Sequence, residues 1–438
     1  MARKMKDSGI EWIGEIPTDF SLYKLKYLLS SPLCYGANES GTLYSDILPR
    51  YIRITDISPN GTLKNSGMLS LDESSAQNYM LHEGDILFAR SGATVGKSFI
   101  YHNYYGRAAY AGYLIKASFN RLVLPEFVYY YTCSSAYEIW KNSIFIQSTI
   151  QNIGADRYSN LPISVPNSID KQLRIVRYLN NFCSKFDAII YNLQTSIEDY
   201  KKLKQAIITQ AITKGVRGER EMKDSGIAWI GEIPKEWDII KSSRIIKTTQ
   251  NGLSRRDLEK SEGQIILKLK NITSDGKIDY SFLNRITLSQ NELNTYALTT
   301  GDFLFVRVNG SKSLVGKCAI FEAISEIVAY NDHIIRVKLS NQCYNRFFLW
   351  YLYSCCGKAE IDLHTSTAAG QYTISGDGLR DITLVFPPID EQKEIADYLD
   401  AKCAEIDKLI AKKEQLVKEL ESYKKSLIYE VVTGKREV

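Results

Sequence analysis

Two short segments rich in glycine and lysine come nearest to a nucleotide-binding motif. A phosphate-binding loop needs Gly-x4-Gly-Lys-Ser/Thr, because its backbone amides surround the phosphates. The segment Gly92–Ser98 has three residues between its glycines, whereas Gly310–Cys318 has five and ends without a hydroxyl. This spacing predicts a variable loop between two strands and not a phosphate site.

Two further segments resemble parts of catalytic motifs. An adenine methyltransferase needs Asn/Asp-Pro-Pro-aromatic to hold a flipped base, but the Pro-Pro pair within Phe386–Ile389 fails on both sides. Asp390, Glu391 and Lys393 could suit a metal-dependent nuclease, yet no second acid follows at a suitable spacing. We interpret these acids as capping residues of a helix that begins after Pro388.

The cysteines and histidines do not have the spacing of a metal site. The chain contains no Cys-x-x-Cys pair and no Gly-x-Gly-x-x-Gly segment of a dinucleotide-binding fold. We therefore expect reduced, mostly buried thiols, no metal and no cofactor in this chain. The residues concerned are Cys34, Cys133, Cys183, Cys318, Cys343, Cys355, Cys356 and Cys403, with His82, His102, His333 and His364.

Composition indicates an ordinary globular protein. The 438 residues include 55 Lys and Arg against 50 Asp and Glu, a net charge of +5, and 44% are hydrophobic. This excludes a disordered chain and gives no general argument for or against a nucleic-acid partner. No run of 18 apolar residues occurs, and Met1–Asp7 lacks the apolar part of a secretory signal. We expect a cytoplasmic protein without a membrane partner.

An internal repeat is the most informative feature of the sequence. Met5–Pro17 returns as Met222–Pro234 with twelve of thirteen residues identical. Further matches follow in the same order, and their offset drifts from 215 to about 220 residues. A period this long predicts two similar domains and not a solenoid. The other matched segments are Tyr51–Ile57 with Ile266–Ile272, Gly84–Arg90 with Gly301–Arg307, and Val165–Gln172 with Phe386–Gln392.

The elements within each half follow from apolar periodicity. Alternating apolar residues predict strands at Tyr51–Ser58, Asp85–Arg90 and Tyr110–Ser118. Aromatic stripes predict one short helix in each half, at Leu124–Asn142 and at Tyr344–Asp362. We interpret these stripes as core packing and not as a surface on which bases stack.

Each half ends in a long predicted helix, one from near Asp170 to just before Gly215 and one from Asp390 to Gly434. Each has about 43 residues and would be roughly 65 Å long at 1.5 Å per residue. Apolar residues recur at heptad spacing, so each helix needs a partner. The seam positions are Leu179, Phe182, Phe186, Ile189, Leu193, Ile197, Tyr200, Leu203, Ile207 and Ala211 in the first helix, and Leu399, Cys403, Ile406, Ile410, Lys413, Val417, Leu420, Lys424, Leu427 and Val431 in the second.

The predicted fold is α+β, with two mixed α/β domains joined by two long helices that form an antiparallel coiled coil with a pseudo-two-fold repeat. Antiparallel pairing is favoured because the segment from Gly215 to Trp229 is too short to return along a full helix. Two helices packed separately on their own domains are the alternative. The expected boundaries are 1–167 and 219–387 for the domains, and 168–218 and 388–438 for the helices.

This layout resembles the specificity subunit of Type I restriction-modification enzymes. The resemblance covers essentially the whole chain and depends on the duplicated segments, including Gly84–Gly92, Val165–Gln172 and Phe386–Gln392. It implies two target recognition domains that each read half of a split site in double-stranded DNA, and helices that dock two methyltransferase subunits. It further implies restriction endonuclease/translocase subunits, with S-adenosylmethionine, ATP and Mg²⁺ on partners and no catalysis in this chain.

Three alternatives remain at this stage, one of them an enzyme in its own right, which methyl transfer or cleavage by the isolated chain would support. The chain could be the recognition subunit of a combined cleaving-and-methylating Type II-like enzyme. It could also be a coiled-coil scaffold that binds proteins and not DNA, and DNA binding that needs a methyltransferase would separate these functions.

The candidate DNA-binding residues lie in two loops of each half. One loop follows the Gly-Asp strand, and the other precedes the last strand before the long helix; both offer the donors that bases and phosphates accept. The repeated arginines suggest a shared structural or phosphate contact, so residues that differ between the halves are better candidates for specificity. The candidates are Arg90, Ser91, Thr94, Lys97, Gln147, Ser148 and Thr149 in the first half, and Arg307, Asn309, Ser311, Lys312, Lys317, Thr365, Ser366 and Gln371 in the second.

Four basic residues on matched predicted strands are weaker candidates. Arg50, Arg53, Lys268 and Lys270 fit a solvated strand face as well as a DNA-facing one. His364 is interpreted as a turn or packing residue and not as a ligand.

Overall fold

The computed structural model describes residues 3–58, 61–92, 94–146, 152–255, 262–273, 275–368 and 370–438. The chain packs as two units. Unit 1 comprises residues 1–194 and 414–438, and unit 2 comprises residues 195–413.

Unit 1 combines small sheets with helices. Its strands are β1 (Met5–Asp7), β2 (Glu15–Pro17), β3 (Phe20–Lys24), β4 (Cys34–Tyr35), β5 (Thr42–Leu43), β6 (Arg50–Ile52), β7 (Leu69–Ser70), β8 (Ile86–Ala89), β9 (Ser98–Ile100), β10 (Ala108–Tyr110), β11 (Leu114–Ala117) and β12 (Pro162–Pro166). Its helices are α1 (Glu73–Ala76), α2 (Pro125–Thr132), α3 (Ser135–Ile146), α4 (Ala155–Ser159) and the first part of α5 (Ile169–Lys214). The central antiparallel sheet has the order β4-β11-β8-β9, and a second sheet has the order β10-β6-β7-β5.

Unit 2 repeats this plan. Its strands are β13 (Met222–Asp224), β14 (Glu232–Pro234), β15 (Asp238–Lys241), β16 (Ile246–Asn251), β17 (Gln264–Leu267), β18 (Asn284–Ile286), β19 (Phe303–Val306), β20 (Val308–Asn309), β21 (Cys318–Ile320), β22 (Val328–Tyr330), β23 (Ile334–Leu339), β24 (Ser366–Ala368), β25 (Gln371–Thr373) and β26 (Thr383–Phe386). Its helices are α6 (Gln290–Tyr296), α7 (Asn345–Tyr353), α8 (Cys355–Leu363), α9 (Gly376–Arg380) and the first part of α10 (Ile389–Val432). The central sheet has the order β16-β23-β19-β21, the counterpart of the second sheet of unit 1 has the order β18-β17-β22, and a further three-stranded sheet has the order β20-β25-β24.

Two of the predicted strands are wrong in extent. The strand predicted at Tyr51–Ser58 ends early, because the Asp56 carboxylate accepts hydrogen bonds from the backbone and guanidinium of Arg53 and closes a 3-10 turn. The strand predicted at Tyr110–Ser118 divides into β10 and β11, where the Leu114 N–H donates to the carbonyl three residues earlier. The third predicted strand, Asp85–Arg90, is confirmed as β8.

Each predicted aromatic helix is in fact two helices. In unit 2 the break between α7 and α8 is at Ser354, whose hydroxyl donates to the Tyr351 carbonyl and accepts the Gly357 N–H. This buried serine ends one helix and caps the next, since it satisfies backbone groups at both ends. Ser134 occupies the corresponding break between α2 and α3 and also donates to the preceding helix, at Tyr131.

The long helices and their ends are confirmed. α5 spans 46 residues and α10 spans 44. Gly215 and Gly434, just beyond the two ends, have φ values of 76° and 73°. This left-handed conformation favours glycine and is typical of a helix C-terminus.

The two helices pack antiparallel within each unit. In unit 2, the Tyr200 ring lies 5.6 Å from the Lys413 ammonium. Lys204, which follows Tyr200 along α5, pairs at 2.7 Å with Asp407, which precedes Lys413 along α10. In unit 1, Asp187 pairs with Lys424 at 2.6 Å, and the start of α5 shares a core with the end of α10.

Part of the predicted seam of α5 is wrong. Ile189 and Leu203 are exposed, whereas Ile190 and Ile208 are buried. A straight helix has 3.6 residues per turn, so a strict 3.5-residue pattern drifts around its surface over several heptads. The predicted positions Leu179 and Ile197 of α5, and most apolar positions of α10, are buried.

A matched arginine closes the C-terminal end of a long helix in each unit. Arg3 donates to the Gly434 carbonyl at 3.0 Å in unit 1, and Arg220 donates to the Lys214 carbonyl at 3.0 Å in unit 2. Both arginines stand two residues before the repeated Met-Lys-Asp segment. Carbonyls at a helix C-terminus lack intrahelical donors, so Arg220 satisfies the last carbonyl of α5, whereas Arg3 binds the glycine carbonyl just beyond α10.

The described residues contain no helix that combines the length and the apolar character needed to cross a membrane.

Candidate nucleic-acid interface

The central sheet of each unit ends in four side chains at matching register positions. In unit 1, β8 and β11 pair Ala89 with Leu114, and the next residue, Arg90, donates its N–H to the Tyr113 carbonyl at 2.9 Å. The remaining two positions are Tyr35 at the end of β4 and Lys97 just before β9. We call Tyr35, Arg90, Lys97 and Tyr113 the rim of unit 1.

Unit 2 has the same arrangement. Val306 pairs with Ile334, and Arg307 donates its N–H to the His333 carbonyl at 2.8 Å. Asn251 ends β16, and Lys317 precedes β21. We call Asn251, Arg307, Lys317 and His333 the rim of unit 2.

The lysine positions are fixed by the same backbone hydrogen bonds in both units. The carbonyl of Lys97 accepts the Ala89 N–H at 2.8 Å, and the carbonyl of Lys317 accepts the Val306 N–H at 2.7 Å. Gly96, immediately before Lys97, has a φ of 82°, as the tight turn into β9 requires. The two glycine-rich segments are thus connections between strands, as their spacing predicts.

The chain crosses itself beneath each rim at a glycine. A Cβ on Gly36 would lie 2.3 Å from the Tyr110 carbonyl oxygen, and one on Gly252 would lie 2.2 Å from the Asn331 carbonyl oxygen. Because these neighbours are backbone atoms, only glycine fits at either position. The crossing places β4 and β16 beside β11 and β23, the strands that follow Tyr113 and His333.

In each unit a tyrosine at a matched position donates a hydrogen bond to the backbone next to this crossing. The hydroxyl of Tyr110 donates to the Cys34 carbonyl at 3.3 Å, and that of Tyr330 donates to the Gln250 carbonyl at 3.4 Å. Burial raises the pKa of both hydroxyls far above the usual value, so they remain protonated donors.

The structure brings together the two candidate loops, which are far apart in the sequence. In unit 2 the Ile374 N–H donates to the Arg307 carbonyl at 3.0 Å, and β20 pairs with β25. In unit 1 the Ile153 N–H donates to the Arg90 carbonyl at 2.9 Å, and Ser91 bridges to Asn152. In unit 2 both loops therefore lie at the rim end of the central sheet, and in unit 1 so do the first loop and Asn152, the last residue of the second.

The candidate side chains of unit 2 differ in how free they are to meet a ligand. Ser366 and Gln371 are exposed on β24 and β25. Lys312 is also exposed, with its ammonium 3.9 Å from the Asp362 carboxylate. Thr365, in contrast, donates its hydroxyl to the Ile361 carbonyl at 2.6 Å and so continues the end of α8.

Two other candidates of this loop make local contacts. The Asn309 side chain accepts the Ser311 N–H at 2.9 Å, and the Ser311 hydroxyl lies 3.0 Å from that of Ser313. These contacts shape the turn and leave the serine exposed. In unit 1, Thr94 is half-buried, and its carbonyl accepts the Lys97 N–H. The other candidates of unit 1, Gln147, Ser148 and Thr149, lie outside the described residues.

The rim arginines are held differently in the two units. The guanidinium of Arg90 lies 4.9 Å from the centre of the Tyr35 ring, a cation–π contact. The guanidinium of Arg307 donates instead to the Asp332 carbonyl at 3.1 Å. The position of Tyr35 in the first rim is taken by Asn251 in the second.

The weaker candidates do not form a DNA-facing strand face. Arg50 is buried and donates to the Lys64 carbonyl, and Arg53 is paired with Asp56. Lys268 opens a 3-10 turn at the position that matches Arg53, and Lys270 lies over the Phe282 ring. The alternation expected from a strand fails because both segments turn after three or four strand residues.

His364 and Glu391 each lie beside a side chain of opposite charge type. His364 follows the last turn of α8 with its Nε2 3.8 Å from the Glu360 carboxylate, as a packing residue would. Glu391 does more than cap the helix dipole, because its buried carboxylate pairs with Arg220 and accepts a hydrogen bond from the Trp237 indole. The described residues contain no group of three or more His, Cys, Asp or Glu side chains arranged to hold a metal ion.

Four rim residues were missed by sequence reasoning: Tyr35, Tyr113, Asn251 and His333. A signal was present in the short turns before β11 and β23, where matched tyrosines, Tyr110 and Tyr330, are each followed by a turn of unlike residues. Extending the repeat alignment through these turns would have identified Tyr113 and His333 as matched positions.

Comparison with known proteins identifies the relatives of this chain. Residues 44–199 and 234–419 match the family described as the Type I restriction modification DNA specificity domain. The specificity subunit of the type I restriction enzyme StySPI from Salmonella potsdam is 24% identical over 316 residues, which is 72% of this chain and 66% of that protein. The EcoKI specificity subunit of Escherichia coli K12 is 25% identical over 279 residues, or 63% of this chain and 58% of that protein.

The matched stretches thus span 66% and 58% of the lengths of these two relatives. A chain in a solved structure of a type I R-M system shares the fold, with a TM-score of 0.71 at 14% identity over 96% of this chain and 99% of that one.

Proposed function

Because this chain belongs to the Type I restriction modification DNA specificity family, we propose that it recognises a bipartite sequence in double-stranded DNA, one half with the rim of each unit. It acts as the specificity subunit and performs no chemistry itself. Residues 1–167 and 219–387 are the two target recognition domains, and residues 168–218 and 388–438 are the spacer helices.

The recurrence of one basic pair in both units carries this proposal. Arg90 and Lys97 in unit 1 occupy the same register positions as Arg307 and Lys317 in unit 2, although most of the surrounding sequence differs. Arginine and lysine side chains at the end of a sheet can contact phosphates and hold a domain in register on the duplex. The neighbouring loops supply hydroxyl and amide donors such as Ser366 and Gln371 for base edges.

The long helices provide the surface for protein partners. Exposed apolar side chains remain on both helices after they pair, among them Tyr191 and Leu203 on α5 and Leu409 and Leu416 on α10. Such side chains suit the docking of two methyltransferase subunits and of restriction subunits. S-adenosylmethionine, ATP and Mg²⁺ belong to those partners in this proposal.

The test is the salt dependence of DNA binding by the complex reconstituted with its methyltransferase subunits. The slope of log K against log salt is negative, and each lost lysine–phosphate contact decreases its steepness by about 0.9. We expect that decrease for Lys317→Ala and for Lys312→Ala. Lys247→Ala is the matched control, because this exposed lysine lies at the opposite end of the same central sheet.

An unchanged slope for both rim-side variants, or an equal decrease for Lys247→Ala, would contradict the proposed interface. Exchanging residues 235–380 for the corresponding segment of another specificity subunit should change one half-site only. A change in both half-sites would show that the two domains do not read DNA independently.

A further inference from the structure

Each rim combines two positions that repeat with two that do not. The arginine and lysine positions are occupied by the same residue type in both units. The other two positions hold Tyr113 and Tyr35 in unit 1, and His333 and Asn251 in unit 2. Contacts to the DNA backbone carry no sequence information and can recur, whereas contacts that read different bases must differ.

Tyr113 and His333 occupy the same place on the same backbone. Each is the third residue of a turn, closed by the Leu114 N–H donating to the Ala111 carbonyl at 2.8 Å in unit 1, and by a matching 2.9 Å bond in unit 2. Each carbonyl accepts the N–H of the rim arginine. The backbone of both residues is thus held while the side chain is left to project, with Tyr113 65% exposed and the His333 side chain 46% exposed.

The second unlike position has a different role in each unit. The Tyr35 ring lies under the Arg90 guanidinium, and its hydroxyl accepts the Ala155 N–H at 3.0 Å, so Tyr35 is engaged within the protein. Asn251 is exposed, and a side-chain amide can make two hydrogen bonds to the edge of an adenine. Unit 1 thus presents one projecting side chain beside its basic pair, and unit 2 presents two.

We propose that Tyr113 in unit 1, and His333 with Asn251 in unit 2, are the residues that select the bases of the two half-sites. This inference rests on the proposed function, because it assigns specificity within the same rims. A tyrosine hydroxyl and an imidazole each offer a donor and an acceptor to base edges in the major groove, but at different reach and shape. A change of side chain at one turn therefore changes the preferred base without moving the arginine beside it.

Reciprocal exchange tests the proposal. The complex reconstituted with its methyltransferase subunits is used to select bound duplexes from a pool of random sequence, and the selected half-sites are compared among wild type, Tyr113→His and His333→Tyr. Each exchange should change the preferred base pair at one position of one half-site, with about a tenfold loss of preference for the original pair, and leave the other half-site as in wild type. Exposure of both side chains predicts unchanged unfolding midpoints.

A matched pair of amide truncations separates the rim from the rest of unit 2. Asn251→Ala should reduce the preference of the complex for the wild-type base pair about tenfold at one position of the half-site that His333→Tyr alters. Asn341→Ala removes another exposed amide, at the opposite end of the central sheet, and should change nothing.

The outcomes distinguish this inference from the function on which it rests. If the wild-type complex selects no bipartite sequence, the proposed function fails. If it selects one and the exchanges leave both half-sites unchanged, or if either exchange alters both half-sites, the assignment of these residues is overturned and the function stands.

Discussion

Replacing Glu391 by glutamine should strongly destabilise unit 2. This carboxylate is 1% exposed, accepts the Trp237 indole N–H at 2.9 Å and pairs with Arg220 at 2.5 Å. Glutamine keeps the volume but removes the charge, so the Arg220 guanidinium, whose side chain is 14% exposed, loses its closest partner and one donor faces an amide N–H. Breaking a buried ion pair from one side costs about 3–5 kcal/mol.

The cost should lie at the lower end of that range because Arg220 keeps other partners. Arg220 keeps Glu236 at 2.9 Å and the Lys214 carbonyl at 3.0 Å. We therefore expect Glu391→Gln to reduce the free energy of unfolding by about 3 kcal/mol, and to lower the urea midpoint by about 1 M or more at a slope of up to about 3 kcal/mol per M. The assay is urea unfolding at neutral pH followed by circular dichroism.

The repeat supplies the control. Asp19 pairs at 3.2 Å with Arg3, the counterpart of Arg220, and at 2.5 Å with Lys171, which occupies the Glu391 position of the repeat. Its side chain is 54% exposed, so Asp19→Asn should cost at most about 1 kcal/mol. Equal destabilisation by the two substitutions, or a loss below about 1 kcal/mol for Glu391→Gln, would refute the reasoning that burial decides the strength of this pair.

Three further results are expected. Gly252→Ala should destabilise unit 2 by about 2 kcal/mol in urea unfolding, because its Cβ would collide with backbone, whereas Gly218→Ala, with open space around its Cβ, should be tolerated. Hydrogen bonds, the strongest from Arg255, lower the pKa of Glu292 to about 2 in the folded protein. The ionised carboxylate therefore stabilises the fold fully above the pKa of the unfolded chain, and this stabilisation is lost as the pH falls towards the folded pKa. The difference in unfolding free energy between wild type and Glu292→Gln should thus shrink as the pH falls from about 4.5 to about 2. Asp362→Asn should tighten DNA binding up to about fivefold at low salt. The substitution frees Lys312, whose ammonium lies 3.9 Å from the Asp362 carboxylate, from an ion pair worth at most about 1 kcal/mol.

Each of these predictions has an outcome that contradicts it. Equal midpoints for Gly252→Ala and wild type would mean that the chain crossing can relax. A stability difference for Glu292→Gln that grows on acidification would reverse the sign of the linkage. For Asp362→Asn, Asp381→Asn is the control with the same charge change on an exposed acid elsewhere in unit 2, and equal tightening by both would point to net charge and not to the local pair.

The family and the plan of the molecule could be read from local patterns. The duplicated segment beginning at Met5 and Met222 indicates two like domains, and the heptad spacing with Gly215 and Gly434 predicts two long helices with correct ends. The helices depend on residues within a few turns of one another, and the duplication on a direct comparison of two segments, so neither requires knowledge of tertiary contacts. The same patterns misplaced Ile189 in the seam, because helical drift accumulates over several heptads.

The rims are a product of tertiary structure. Tyr35, Arg90, Lys97 and Tyr113 come from four places along 79 residues and meet because three antiparallel pairings align the ends of four strands. Register across a sheet is set by which side chains the core accepts, and no local pattern records it.

By itself, the sequence determined the duplication, the α+β class, the long helices and the kinds of side chain available for the proposed DNA contacts. Only the tertiary structure decided which of them stand together. It buried Arg50, enclosed Glu391 in an ion pair, and set Tyr113 and His333 at one position of two rims, because burial and strand register depend on contacts between residues far apart in the chain.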